Sequence, residues 1–99
     1  MEQLPDVPAA QWEAWVADNG ATVLDVREPG EWELGTLPDA VLISQGDIVE
    51  RIGELPADRP VLCVCRSGGR SGNVATFLAH NGYQVANMQG GMKALGLQD

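Results

Sequence analysis

The chain has 99 residues and a formal net charge of −8, from 14 acidic and six basic side chains. This length fits one domain spanning residues 1–99. The acidic balance argues against general binding to nucleic acid or to an anionic membrane surface, so neither is an expected partner. No apolar run approaches the ~20 residues that a membrane-spanning helix needs.

The two cysteines and the first residues indicate where the chain works. Cys63 and Cys65 are too close in sequence to form the disulfide framework of a secreted domain. The first six residues have no basic region and no apolar core, so we expect no signal peptide. Together these features predict a cytoplasmic location, where a reactive thiolate persists.

The first quarter of the chain predicts an edge strand and a helix. The strand is expected around Gln3 to Leu4, and Pro8 suits the first turn of a helix over residues 9–17. Asn19-Gly20 is predicted to end that helix. Three apolar residues share one helix face and are expected in the core: Trp12, Trp15 and Val16.

The second quarter predicts two strands, each followed by a helix. Residues 21–26 form a buried apolar run, and a short helix over residues 27–34 has Pro29 in its first turn. A second strand is expected over residues 40–43. Ser44 resembles an N-cap for the helix that follows it. That helix is predicted to bury three residues: Ile48, Ile52 and Leu55.

The second half repeats the alternation. Residues 61–64 predict a buried strand, and a helix is expected from about Ser71 to Asn81-Gly82. Residues 83–86 predict a last strand, and Gly90-Gly91 opens a short helix over residues 92–95. This order predicts an α/β fold, with a small, mostly parallel sheet flanked by helices on both faces.

A cysteine followed by a glycine-rich basic loop stands between a strand and a helix. In this position the thiolate of Cys65 is a candidate nucleophile, because helix N-termini and nearby cations lower a cysteine pKa. Gly68 and Gly69 allow the backbone N–H groups to form an anion-binding nest. Arg66 and Arg70 add positive charge around it. An inert structural cysteine beside a glycine turn is the alternative.

Several other polar residues have two interpretations. Cys63 is either a small core residue or a resolving thiol for Cys65. His80 is expected to face solvent, with a catalytic base as the alternative. Asp25 and Arg27 end or follow a strand and can converge with Cys65 at the carboxyl edge of the sheet. Asp25 is therefore either catalytic or a structural carboxylate that caps a turn or pairs with an arginine.

Four segments in this order resemble the single-domain rhodanese family, the thiosulfate sulfurtransferases. They are Leu24 to Trp32, Gly35 to Ala40, Cys65 to Ser71, and Gly82-Tyr83 followed by Gln89 to Met92. Two positions depart from the family pattern. Thr36 stands where the family often has histidine, and Leu95 stands near a place where many members have tryptophan.

The resemblance implies a rhodanese-like fold and covalent sulfur transfer. The Cys65 thiolate would take the outer sulfur of thiosulfate and carry it as a persulfide to cyanide or a small thiol, with no metal and no organic cofactor. A sulfur-carrier protein is a further candidate partner. Arg66 is the expected binder of the incoming dianion, and Arg70 either shares that role or pairs with Asp25 or Glu31. Five residues form the active loop: Arg66, Ser67, Gly68, Gly69 and Arg70.

Two other functions compete with this one. Cysteine phosphatases and arsenate reductases of a related fold place five residues between the cysteine and the arginine, whereas four residues separate Cys65 from Arg70 here. A rhodanese-like module that relays sulfur or binds a partner would need no turnover with cyanide. Inactive modules usually lack the loop cysteine, whereas this chain keeps it, so a sulfur relay stays an alternative.

Overall fold

Five parallel strands form one sheet in the computed structural model, which describes residues 4–99. The order across the sheet is β1-β5-β4-β2-β3. The strands are β1 (Asp6–Pro8), β2 (Thr22–Asp25), β3 (Val41–Leu42), β4 (Val61–Val64) and β5 (Val85–Gln89). All the strand pairs are parallel, so the predicted α/β fold with a mostly parallel sheet is confirmed.

Five α-helices connect or follow these strands. They are α1 (Trp12–Asn19), α2 (Pro29–Trp32), α3 (Ile48–Arg51), α4 (Gly69–His80) and α5 (Gly91–Ala94). Single 3-10 turns precede α1 and α3 and follow α3, over Ala9–Gln11, Gln45–Asp47 and Ile52–Glu54. Within residues 4–99, the helices are all too short or too polar to cross a membrane.

The central strand β4 gives the sheet its two hydrophobic faces. All four of its residues are buried, which explains the continuous apolar run in the sequence. Cys63 packs on one face with Val74 and Leu78 of α4. Leu62 packs on the other face with Met92 of α5. Helices therefore cover both faces, and a polar substitution anywhere in β4 would remove core contacts.

Several predicted core residues lie where their spacing indicated. Ile48 and Leu55 are buried, and Ile52 packs partly buried against the same cluster. The indole side chains of Trp12 and Trp15 are half-buried against the opposite face of the sheet. The predicted helix end is also present, because Gly20 adopts a left-handed conformation there with φ of +60°.

Two predicted strand boundaries are wrong. The first strand covers Asp6–Pro8 instead of the region around Leu4, and Gln3 lies outside the described residues. Ser44 stands at the predicted N-cap position, before the 3-10 turn that leads into α3, but its side chain makes no capping hydrogen bond. The last strand covers Val85–Gln89 instead of residues 83–86. The Tyr83 hydroxyl lies 3.3 and 3.1 Å from the backbone oxygens of Ile52 and Leu55.

The start of α5 lies directly against the backbone that follows β4. The N–H groups of Met92 and Lys93 donate to the carbonyl oxygens of Cys65 and Arg66, each at 2.9 Å. Gly91 has φ of +61°, and a Cβ at this position would overlap the Arg66 carbonyl and lie 2.6 Å from the Cys65 oxygen. Only glycine therefore permits this approach of α5 to the loop.

We predict that Gly91→Ala destabilises the fold more than Gly20→Ala. Gly20 is the matched control, because its φ of +60° imposes the same strain while no atom lies within 4 Å of an added Cβ. The control should cost about 1–2 kcal/mol of unfolding free energy. Gly91→Ala adds an overpacking cost and should lose about 2–5 kcal/mol. Urea unfolding measures both, and equal losses would contradict the close contact.

Candidate active site

Cys65 directly follows the central strand β4, and its sulfur faces the turn that begins α4. The residue is 1% exposed. The Gly68 N–H donates to the sulfur at 3.0 Å, and the Ser71 hydroxyl oxygen lies 3.2 Å from it. Gly68 has φ of +110° at the N-cap of α4, a conformation that aims this N–H back at the sulfur.

These donors lower the pKa of Cys65 below the ordinary thiol value. Burial acts in the opposite direction and raises the pKa, but the Ser71 hydroxyl and the backbone N–H groups of Ser71, Gly68 and Ser67 outweigh it. Hydrogen bonds to the charged form favour ionisation. The loop therefore favours a thiolate, the form in which sulfur attacks.

Ser71 and Asn87 are two polar residues of the site to which the sequence pattern assigned no chemical role. The Ser71 hydroxyl oxygen lies 2.5 Å from Asn87 Oδ1, while Asn87 Nδ2 donates to the Gly68 carbonyl at 3.0 Å. Asn87 occupies β5 opposite Cys63 of β4. A signal was available, since Asn87 is an amide between the apolar residues Ala86 and Met88 of a strand.

Arg70 forms an ion pair with Glu31, which was one of its two predicted roles. The guanidinium donates to both carboxylate oxygens, at 2.6 and 2.8 Å. Gln98 Nε2 donates to the same carboxylate at 2.7 Å. The hydrogen bond from Arg70 is the largest cause that lowers the pKa of Glu31 from 4.5 to about 2. Arg70 thus joins α4 to α2 beside the loop.

Asp25 and Arg27 form a second ion pair that is fully buried. Arg27 Nη2 lies 2.8 Å from Asp25 Oδ2, and the side chains are 0% and 2% exposed. Arg27 also donates to the backbone oxygens of Glu31 and Gly35, at 3.2 and 2.8 Å. Among the hydrogen bonds of residues 4–99, none connects this pair to the Cys65 sulfur. The pair fixes the turn after β2.

Arg66 stays at the rim of the loop, where its guanidinium Nε donates to the Asp99 carbonyl at 2.5 Å. Ser67 and Gly69 are exposed on the same rim. The structure thus separates the two loop arginines, since Arg70 is held by a carboxylate whereas Arg66 borders the open side. A role for Arg66 in anion binding stays a prediction.

Cys63 has the environment of a core residue. Its side chain is fully buried, burial is the main cause that raises its pKa to about 12, and the charge of Cys65 adds to the effect. Both cysteines are free thiols. A thiol as buried as that of Cys63 is a poor nucleophile at neutral pH.

His80 is exposed at the end of α4, as expected for a solvent-facing residue.

Residues 4–99 contain no cluster of three or more His, Cys, Asp or Glu side chains arranged to hold a metal ion. The expectation that the reaction needs no metal and no organic cofactor stays a prediction.

Comparison with known proteins identifies the family of this loop and sheet. The model of the rhodanese-like domain matches residues 8–97. The chain belongs to the rhodanese-like domain family.

Three known proteins show the extent of the similarity. YtwF of Bacillus subtilis (strain 168), named as a candidate sulfurtransferase, is 42% identical over 86 residues, which cover 87% of this chain and 84% of YtwF. Thiosulfate sulfurtransferase GlpE of Pseudomonas syringae pv. syringae (strain B728a) is 31% identical over 94 residues, 94% of this chain and 88% of GlpE. The crystal structure of reduced Bacillus anthracis CoADR-RHD has a TM-score of 0.87 at 30% identity, over 95% of this chain and 17% of that chain.

The Glu31–Arg70 ion pair beside the rhodanese-like loop predicts a loss of stability in acid. Because the folded-state pKa of Glu31 is depressed from 4.5 to about 2, its contribution is present above pH 4.5 and is lost as the pH falls towards 2. The full shift corresponds to about 3 kcal/mol, which solvent screening of these partly exposed groups reduces to about 1–2 kcal/mol. Urea unfolding at pH 7 and pH 3 measures this loss.

The variant Glu31→Gln should remove most of this pH dependence. Glu54→Gln is the matched control, since Glu54 also pairs with an arginine, Arg51, but on the exposed surface. The control should retain nearly all of the wild-type pH dependence. Equal effects of the two variants would show that the Arg70 contact contributes no more than a surface ion pair.

Proposed function

We propose that the chain is a thiosulfate sulfurtransferase that carries sulfane sulfur as a persulfide on Cys65. The observation that supports this function best is the sulfur of Cys65, held at the start of α4 by hydrogen-bond donors that lower its pKa. The similarity to GlpE supports thiosulfate as the donor. Cyanide or a small thiol is the proposed acceptor.

The proposed first step forms one S–S bond and breaks another. The Cys65 thiolate attacks the outer sulfur of thiosulfate, and sulfite leaves with the electron pair of the bond that breaks. The negative charge of the thiolate moves to the outer sulfur of the new persulfide. An acceptor then attacks this sulfur, and the thiolate returns. Backbone N–H groups such as that of Gly68 stabilise the anionic forms without a proton relay.

Arg66 is the proposed contact for the sulfonate end of thiosulfate. Its guanidinium lies at the rim, and within residues 4–99 only Nε has a hydrogen-bond partner, the Asp99 carbonyl. The two terminal nitrogens are therefore available to an anion. We expect Arg66→Ala to raise the KM for thiosulfate about tenfold, with persulfide still formed at high donor concentration. Unchanged steady-state kinetics would remove Arg66 from the site.

The structure gives a reason to rank a cysteine phosphatase or arsenate reductase below this function. Arg70 follows Cys65 after four residues, and its guanidinium is already held by the Glu31 carboxylate at 2.6 Å. It is thus committed to an internal ion pair, whereas a phosphatase needs an arginine to clamp a tetrahedral oxyanion. Cys65-dependent turnover of p-nitrophenyl phosphate would contradict our proposal.

The proposed acceptor includes a protein thiol as well as cyanide. A sulfur relay to a carrier protein would use the same Cys65 persulfide, and the net charge of −8 would influence which partners approach. A KM for thiosulfate far above cellular concentrations would favour a protein donor.

A reducing compartment agrees with the two free cysteines, and the cytoplasmic location stays a prediction.

The decisive experiment compares Cys65→Ser with Cys63→Ala, because alanine removes the Cys63 thiol without burying a hydroxyl in the core. After incubation with thiosulfate, intact-mass spectrometry and peptide mapping should find one added sulfur atom on Cys65 in the wild type and in Cys63→Ala, released by cyanide as thiocyanate. Cys65→Ser should carry none and should melt at nearly the wild-type temperature, because serine is close in size. A folded wild type without an adduct would favour a binding module or a protein persulfide donor.

A further inference from the structure

The Ser71 hydroxyl lies between two acceptors that compete for its single proton. Its oxygen is 3.2 Å from the Cys65 sulfur and 2.5 Å from Asn87 Oδ1, and Ser71 is 0% exposed. The orientation of the Asn87 amide is determined, because its Nδ2 must face the Gly68 carbonyl, which only accepts. Ser71 therefore donates either to the sulfur or to Asn87, and in this buried position no solvent replaces the acceptor that is lost.

The two acceptors differ in strength at the two stages of sulfur transfer. In the free enzyme the thiolate charge is on the Cys65 sulfur, which is then the stronger acceptor. In the persulfide the charge is on the outer sulfur, and the Cys65 sulfur becomes a neutral, weak acceptor. The hydroxyl then has a better partner in Asn87 Oδ1.

We propose that Asn87 is a positioning residue that accepts the Ser71 hydrogen bond when Cys65 carries sulfur, and thereby stabilises the persulfide relative to the free thiolate. This inference rests on the proposed function. The S–S bond to Cys65 forms as the S–S bond of thiosulfate breaks and sulfite leaves with its electron pair. The rotation of the Ser71 hydroxyl itself changes only hydrogen bonds.

The second hydrogen bond of Asn87, from its Nδ2 to the Gly68 carbonyl, is not the only one that this carbonyl accepts. The Gly68 carbonyl also accepts the Gly72 N–H at 3.0 Å. The carbonyls of Cys65 and Arg66 are held by α5, each at 2.9 Å. The loop therefore keeps these hydrogen bonds without the Asn87 amide, whereas within residues 4–99 only Asn87 competes with the sulfur for the Ser71 proton.

The surroundings of Asn87 determine the choice of variant. Asn87 lines an open cleft of about 580 Å³ together with Asp6, Gly72 and His80. An alanine would admit water from this cleft, and that water could replace the lost amide. Leucine branches at Cγ as asparagine does and has no polar atoms. Asn87→Leu therefore removes the hydrogen-bond acceptor and still fills the space through which water would enter from the cleft.

The variant Asn87→Leu leaves the titratable groups around the Cys65 sulfur unchanged. Cys63 lies on the same strand and stays neutral, since its pKa is about 12. Arg70 of α4 acts on Cys65 through its charge and remains bound to Glu31. Asp6 and His80 face Asn87 across the cleft and are present in both variants described next.

The test measures the rate of Cys65 alkylation by iodoacetamide against pH, with peptide mapping, in Asn87→Leu and Asn87→Asp. Asn87→Leu leaves the Ser71 proton to the sulfur alone, so thiolate forms at lower pH and alkylation below the midpoint rises about threefold. Asn87→Asp keeps an acceptor and adds a negative charge, so the midpoint moves to higher pH. Both variants lose the Gly68 contact, and the added charge alone raises the midpoint in Asn87→Asp. The decisive result is therefore the lower midpoint in Asn87→Leu, which must disappear in a Ser71→Ala background if the Ser71 proton is shared.

A second readout is the persulfide equilibrium at fixed concentrations of thiosulfate and sulfite. Asn87→Leu should lower the equilibrium constant for loading about tenfold, because a buried hydroxyl loses its acceptor in the persulfide. In a Ser71→Ala background, Asn87→Leu should change neither readout. Midpoints that shift in the same direction, unchanged loading, or an effect that survives Ser71→Ala would each overturn the proposal.

The two readouts also separate this inference from the proposed function. A folded wild type that forms no persulfide from thiosulfate defeats the proposed function. The alkylation profiles need no sulfur transfer, and a lower midpoint in Asn87→Leu that disappears in Ser71→Ala would still show that Ser71 is shared between the sulfur and Asn87.

Discussion

The site depends on how the backbone after β4 is held from both sides. Helix α4 begins at the turn and directs the Gly68 N–H at the Cys65 sulfur, at 3.0 Å. Helix α5 occupies the carbonyls of Cys65 and Arg66 with its own N–H groups. With these carbonyls bound, the N–H groups are left to face the sulfur, and the turn becomes a site for negative charge.

Positive charge has a smaller part in this site than the two loop arginines indicated. Arg70 is neutralised by Glu31, and Arg27 is buried with Asp25. The donors that lower the pKa of Cys65 are a neutral hydroxyl and backbone N–H groups. In the proposed cycle the sulfur gives up its charge and regains it. Neutral donors suit such a change, because they can change partners without moving an ion.

The sequence predicted the parts of the site that are local and missed those that depend on sheet order. Cys65 and its loop are recognisable because glycines and arginines follow within five residues. The pairing of Asp25 with an arginine was part of one of two interpretations, and the structure shows this pairing as a buried contact with Arg27. Asn87 meets Ser71 across 16 positions and Gln98 meets Arg27 across 71, so no local pattern indicates either contact. Both follow from β5 lying beside β4 and from the path of the chain after α5.

The same constraint supports the proposed transfer of a single sulfur atom by this short loop. With four residues before Arg70, the turn closes around the Cys65 sulfur, and the ion pair to Glu31 keeps the guanidinium from entering it. The remaining space is bordered by backbone N–H groups, by the Ser71 hydroxyl and by Arg66 at the rim. A tetrahedral oxyanion needs several hydrogen-bond donors in a fixed arrangement, such as the paired N–H groups of a guanidinium. The outer sulfur of a persulfide needs only a few donors that point at this one atom. The loop geometry and the charge pairing therefore favour the same substrate class.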